Sequence, residues 1–140
     1  MKRSASAVWK GGLQDGQGNV STESGILSGA PYNFKMRFEN EKGTNPEELV
    51  AAAHAACFSM ALSKILADAG MTPESIDTKA TVSLDKGDAG FSVTSSHLDT
   101  TVKIPNANKT AFDEAVQKAK AGCPISKLLN ATITLDAKLI

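Results

Sequence analysis

Apolar and polar positions change rhythm along this chain. Up to residue 38 the apolar residues come in short runs suited to strands, "SASAVWKG", "NVSTESGIL" and "YNFKMRF", with "GGLQDGQG" supplying turn chemistry between the first two. In "YNFKMRF", alternation sets Tyr32, Phe34, Met36 and Phe38 on one face and Asn33, Lys35 and Arg37 on the other. Arg37 is therefore expected to project away from the apolar face of its own strand.

The rhythm then turns helical. "NPEELVAAAHAACFSMALSKILADAG" opens with Asn45 as N-cap, Pro46 at the first helical position and Glu48 at the third, where its carboxylate is expected to reach back to the cap's N–H. Glu47 has no such local duty beyond the helix dipole, which leaves it free to serve another group. Apolar residues occupy the whole circumference from Leu49 to Ala67, predicting a helix from Pro46 to about Ala69 that is buried on most sides, with Gly70 as its stop.

After "MTPESI", the runs "DTKATVSLD" and "FSVTSSHLDTTVKI" read as two strands of a hairpin joined by "KGDAG". A second helix, "NKTAFDEAVQKAKAG", carries Phe112, Ala115, Val116 and Ala119 at helical spacing and ends at Gly122. In "CPISKLL", Cys123 precedes Pro124 and is placed to cap a short helix, and "ATITLDAKLI" closes the chain as a strand. Strands before and after two helices predict an α+β fold.

Composition narrows the class. At 140 residues, one domain spanning 1–140 is expected. Fifteen basic and fifteen acidic side chains cancel, so no global field favours nucleic acid or an anionic membrane surface. "MKRSASAVWKGG" lacks the apolar core of a secretory signal, which predicts a cytoplasmic protein. The stretch from Leu49 to Leu66 is broken by His54, Ser59, Ser63 and Lys64, and reads as a core helix rather than a membrane span.

The candidate chemistry rests on two cysteines, Cys57 and Cys123, which form no CxxC motif. In a chain without an export signal they are expected to be redox-active or inert rather than a permanent staple. Cys57 lies inside the apolar helix, where a thiol commonly serves as small apolar packing. Cys123, at a helix start with Lys118, Lys120 and Lys127 nearby in sequence, is on local grounds the better nucleophile. His54 and Cys57 share a helix face at i, i+3, but His97 is the only other histidine and no carboxylate is clearly placed to complete a metal site. His54 reads as a hydrogen-bonded core histidine. The pair Glu47 and Glu48 is explained by helix capping as well as by acid–base chemistry, and "GGLQDGQG" lacks the strand-then-helix setting of a phosphate loop.

Several segments, "VSTESGIL", "RFENEKGTNPEEL", "NPEELVAAAHAACFSMAL", "SIDTKATVSLDKGDAGF" and "QKAKAGCPISKLL", closely resemble the OsmC/Ohr family of thiol peroxidases, the family of osmotically inducible protein C. The likeness covers essentially the whole chain. It implies reduction of organic hydroperoxides and of hydrogen peroxide in oxidative and osmotic stress defence, with Cys57 as the peroxidatic and Cys123 as the resolving residue. A Cys57 sulfenic acid would condense with Cys123 to a disulfide, which an external dithiol such as a lipoylated protein reduces. The resemblance calls for no metal, haem or other cofactor. It places the family's glutamate on Glu47, with an arginine partner that orients the thiolate and lowers its pKa. The Ohr branch carries that arginine in a "GGRDGR"-like turn, where this chain reads "GGLQDGQG" with Gln17; the OsmC-like branch looks to Arg37. The implied fold has antiparallel-rich sheets wrapped around two central helices in an intertwined homodimer. Glu47 and Cys57 are ten positions apart on one helix, about 15 Å along its axis. Arg37 and Glu47 of one chain are accordingly expected to serve Cys57 and Cys123 of the other. The rival reading is a non-enzymatic binder of apolar ligands or a thiol redox sensor built on the same residues.

Overall fold

The computed structural model describes residues 1–140, which form two compact units, Met1–Leu49 and Val50–Ile140. The first unit holds an antiparallel sheet in the order β1 (Ala5–Lys10), β2 (Gln17–Thr22), β3 (Ala30–Tyr32). Trp9 stands opposite Gly18, and Gly18 opposite Tyr32. The missing side chain at Gly18 leaves room for both aromatics: a Cβ there would lie 2.5 Å from the Tyr32 ring and 2.8 Å from that of Trp9. The two rings meet across the gap with centroids 5.5 Å apart.

"YNFKMRF" departs from the strand expected of it. Only Tyr32 belongs to β3; Phe34–Phe38 is a helix, α1. Asn33 caps it by accepting the Met36 N–H at 2.8 Å, and Phe34 meets Phe38 at i, i+4 with centroids 4.8 Å apart. The alternation of aromatics fits either period over so short a run, and the Asn33 cap decides it. Arg37 therefore projects from a helical turn.

The long helix, α2, runs Pro46–Asp68. Asn45 caps it as expected, its Oδ1 accepting the Glu48 N–H at 2.8 Å. Glu48 does not close a capping box; its carboxylate accepts from the Thr44 hydroxyl at 2.9 Å. Within the single chain the burial of α2 is one-sided. His54, Phe58, Leu62 and Leu66 form a single buried i, i+4 stripe, while Ala52, Ala53, Ala56 and Met60 face outwards, Met60 at 76% exposure. By length and mean hydropathy α2 could span a membrane, yet its buried stripe packs into the core of the second unit.

That core collects around β4 (Ser75–Gly87), β5 (Gly90–Lys103), α3 (Lys109–Gly122), α4 (Pro124–Leu128) and β6 (Thr132–Leu139). β4 and β5 form the expected antiparallel hairpin, and β6 lies parallel to β5 on its other edge. A parallel neighbour needs a crossover connection, which α3 and α4 provide. Phe112, Ala115, Val116 and Ala119 are the buried face of α3, as their spacing predicts. The mixed α+β class agrees with expectation.

Candidate active site

The structure groups the expected site residues into two pairs. In the first unit, Arg37 and Glu47 form a forked ion pair: Arg37 Nε donates to Glu47 Oε2 at 3.1 Å and Nη2 to Oε1 at 2.7 Å. Glu47 is thus occupied as the capping argument anticipated, and the Arg37 guanidinium also lies 5.3 Å from the Phe38 ring centroid. Beside it opens a cavity of about 300 Å³ walled by Trp9, Leu13, Tyr32, Phe34, Phe38 and Arg37. The aromatic wall was not legible in sequence, because it depends on Gly18 bringing Trp9 and Tyr32 together and on the helical turn at Phe34.

In the second unit, Cys57 and Cys123 are free thiols with sulfurs 2.9 Å apart, although 66 positions separate them. α2 supplies Cys57 and the junction of α3 and α4 supplies Cys123. Cys123 is both the C-cap of α3 and the N-cap of α4, fully buried, with its Sγ accepting the Ser126 N–H at 3.4 Å. The expected capping role of Cys123 is therefore present.

The two thiols are electrically unequal. Burial pushes the Cys57 thiol up, and its hydrogen bond with Cys123 adds to this, against a smaller downward pull from the Ile125 N–H. Burial also acts upward on Cys123, but hydrogen bonds from Cys57 and from Ser126 and Ile125 at the start of α4 outweigh it and bring its pKa down. Within this unit Cys123 is the more acidic thiol and Cys57 the less acidic one. The downward shift at Cys123 is in the direction that the helix-start argument gave for it, and a cation beside Cys57 would favour its thiolate.

The two histidines stand apart. His54 is buried between two serine hydroxyls, while His97 is partly exposed with Nε2 3.3 Å from an Asp136 carboxylate oxygen and 3.7 Å from one of Asp99. Carboxylates that sequence could not place beside His97 come from its own strand and from the neighbouring β6.

With this geometry in view, the comparisons with known proteins are specific. A family model described as OsmC-like protein matches residues 39–138, a stretch that contains Glu47, Cys57 and Cys123. The chain belongs to the OsmC family. It is 60% identical over 133 residues to Peroxiredoxin OsmC of Escherichia coli (strain K12), covering 95% of this chain and 93% of that protein. It is 35% identical over 114 residues to the organic hydroperoxide resistance protein OhrA of Bacillus subtilis (strain 168), covering 79% and 75%. The crystal structure of OhrB from Bacillus subtilis superposes with a TM-score of 0.71 at 26% identity, covering 96% of this chain and 98% of that one. The architecture is accordingly that of OsmC and Ohr proteins.

Proposed function

We propose that this OsmC-family chain is a thiol peroxidase that reduces organic hydroperoxides and hydrogen peroxide to alcohols and water in stress defence. The observation that carries the reading is the contact of two free thiols, Cys57 and Cys123, at 2.9 Å between sulfurs. The names of its relatives, a peroxiredoxin and organic hydroperoxide resistance proteins, support the substrate class.

In this reading Cys57 is the peroxidatic and Cys123 the resolving thiol, and the contact between their sulfurs supports the second step. The Cys57 thiolate attacks a peroxide oxygen, the O–O bond breaks, and the alkoxide leaves and takes a proton to become the alcohol. Cys57 then holds a sulfenic acid. The Cys123 sulfur attacks the Cys57 sulfur, an S–S bond replaces the S–O bond, and the hydroxyl departs as water. An external dithiol, such as a lipoyl group on a protein, restores both thiols by exchange and is itself oxidised to a disulfide. Sulfur carries both electrons throughout, so no further cofactor is invoked.

Arg37 serves as the cation that Cys57 lacks within its own unit, and Glu47 holds that guanidinium by its fork. The aromatic cavity beside Arg37 suits the organic tail of a hydroperoxide. We assign Arg37 and Glu47 of one chain to Cys57 and Cys123 of a second, in a homodimer. Reductive recycling by a dithiol fits a cytoplasmic setting.

The test is consumption of an alkyl hydroperoxide with excess dithiol. Wild type should turn over many equivalents, and Cys57→Ser should lose at least about 10³-fold, the scale of deleting a nucleophile. Consumption that stops at one equivalent per chain would identify a thiol sensor instead of an enzyme.

A further inference from the structure

His54 is a fully buried polar side chain on the helix that carries Cys57 and takes no part in the scheme above. It has no exposed surface, and both ring nitrogens are engaged: Nδ1 lies 2.7 Å from Ser96 Oγ on β5, and Nε2 2.8 Å from Ser126 Oγ on α4. A neutral imidazole has one N–H and one bare nitrogen, so one serine accepts from the ring while the other donates to it. Burial lowers the His54 pKa, which keeps the ring neutral at pH 7. With both nitrogens occupied and no charge, His54 offers Cys57 neither a base nor a cation.

Its second partner gives it another capacity. Ser126 is 7% exposed, and its own N–H donates to Cys123 Sγ. α4 has five residues, Pro124–Leu128, too few for a helix to hold itself by backbone hydrogen bonds alone. His54 lies one helical turn before Cys57 on α2. A continuous chain of contacts therefore runs from α2 through the imidazole to the Ser126 hydroxyl, and from the Ser126 N–H to the Cys123 sulfur.

We propose that His54 is a positioning residue for disulfide formation: through Ser126 it pins the start of α4, so that Cys123 stays against Cys57 once Cys57 has become a sulfenic acid. The role rests on the peroxidase reading and adds a residue to its second step. Attack on peroxide uses the Cys57 thiolate, which Arg37 ionises, and needs no contact between the two sulfurs. Condensation needs the two sulfurs at contact, and its rate depends steeply on how much of the time they are held there. Loss of the imidazole also strands two buried hydroxyls, which draws Ser126 away or lets water in.

Two steps are to be timed in the full-length protein after a single pulse of alkyl hydroperoxide. One is loss of the Cys57 thiol; the other is appearance of the Cys57–Cys123 disulfide, by acid quench and mass spectrometry. In Ser126→Ala and His54→Phe the first step should stay within about threefold of wild type while the second slows roughly tenfold or more. Under excess peroxide, Cys57 sulfinic acid should then accumulate, because the unresolved sulfenic acid is oxidised again. His54→Gln, which keeps a donor and an acceptor, should recover part of the disulfide rate. Disulfide formation at the wild-type rate in the variants overturns the proposal, as does equal slowing of both steps. If His54→Phe fails to fold, Ser126→Ala decides alone, since it removes one hydroxyl. A wild-type protein that forms no disulfide under peroxide defeats the peroxidase reading itself; a wild type that forms it, matched by its variants, defeats only the positioning role.

Discussion

Single residues divide into those whose role was readable from neighbours in sequence and those whose role depends on distant partners. Glu47 belongs to the first kind: the capping argument left its carboxylate unassigned, and Arg37 takes it. His54 belongs to the second. Its serine partners are 42 and 72 positions away, so its role as a core histidine was legible but its connection to Cys123 was not. Arg37→Ala should lower the peroxide reaction rate by roughly 10²–10³-fold, the scale of removing one preorganised electrostatic group. Arg37→Lys should restore little, because a lysine cannot make the fork with Glu47. His54 also sets a pH dependence of stability. Its folded pKa lies below the ordinary histidine value, so below about pH 6.5 the unfolded chain binds a proton that the folded chain refuses. Stability contributed by the neutral ring is complete above that pH and declines as pH falls from about 6.5 towards the folded pKa. Urea midpoints measured between pH 7 and 5.5 should drop more for wild type than for His54→Gln; parallel lines would contradict this assignment.

Elements were legible where local signals agreed with one another. α2 has its asparagine cap, Pro46 and an apolar run all in register, and the structure starts it where those signals place it. α1 was misread because five residues give too little pattern to separate a period of 2 from one of 3.6, and the Asn33 cap was the missed clue. The full apolar circumference of α2 exceeds what this chain's core takes up, since only one stripe of it meets that core. These points order the expected costs. Asn45→Ala should destabilise by about 1 kcal/mol through the lost cap. Leu62→Ala, at a fully buried position of the stripe, should cost about 2–5 kcal/mol, readable in chemical denaturation. Comparable losses in the two variants would mean that the stripe is not the main anchor of α2.

For the whole molecule, the distribution of buried surface argues for a partner. Every buried hydrophobic side chain lies in Val50–Ile140, and in Met1–Leu49 none is buried: all of β1 is exposed, including Val8 at 54% and Trp9 at 37%. A unit of that size without a core of its own is too small to hold its fold unaided. The outward apolar face of α2, with Ala52, Ala53, Ala56 and Met60, is left uncovered in the single chain as well. The proposed homodimer would supply a second copy to such apolar surfaces, and the helix geometry adds a functional reason. Glu47 and Cys57 sit ten positions apart on one unbroken helix, about 15 Å along its axis, a distance no glutamate side chain spans. In a two-fold dimer, each contact made by one chain is repeated by the other, so Arg37 and Glu47 of each copy can serve the thiols of its partner. Inactive Cys57→Ser and inactive Arg37→Ala chains, unfolded and refolded together, test this directly. Random pairing of equal amounts makes about half of the dimers mixed, and each mixed dimer carries one site with both defects and one intact site, so about a quarter of wild-type activity should return. If mixed dimers form and no activity returns, the ion pair and the thiols act within one chain, and the exposed face of α2 has no part in completing the site.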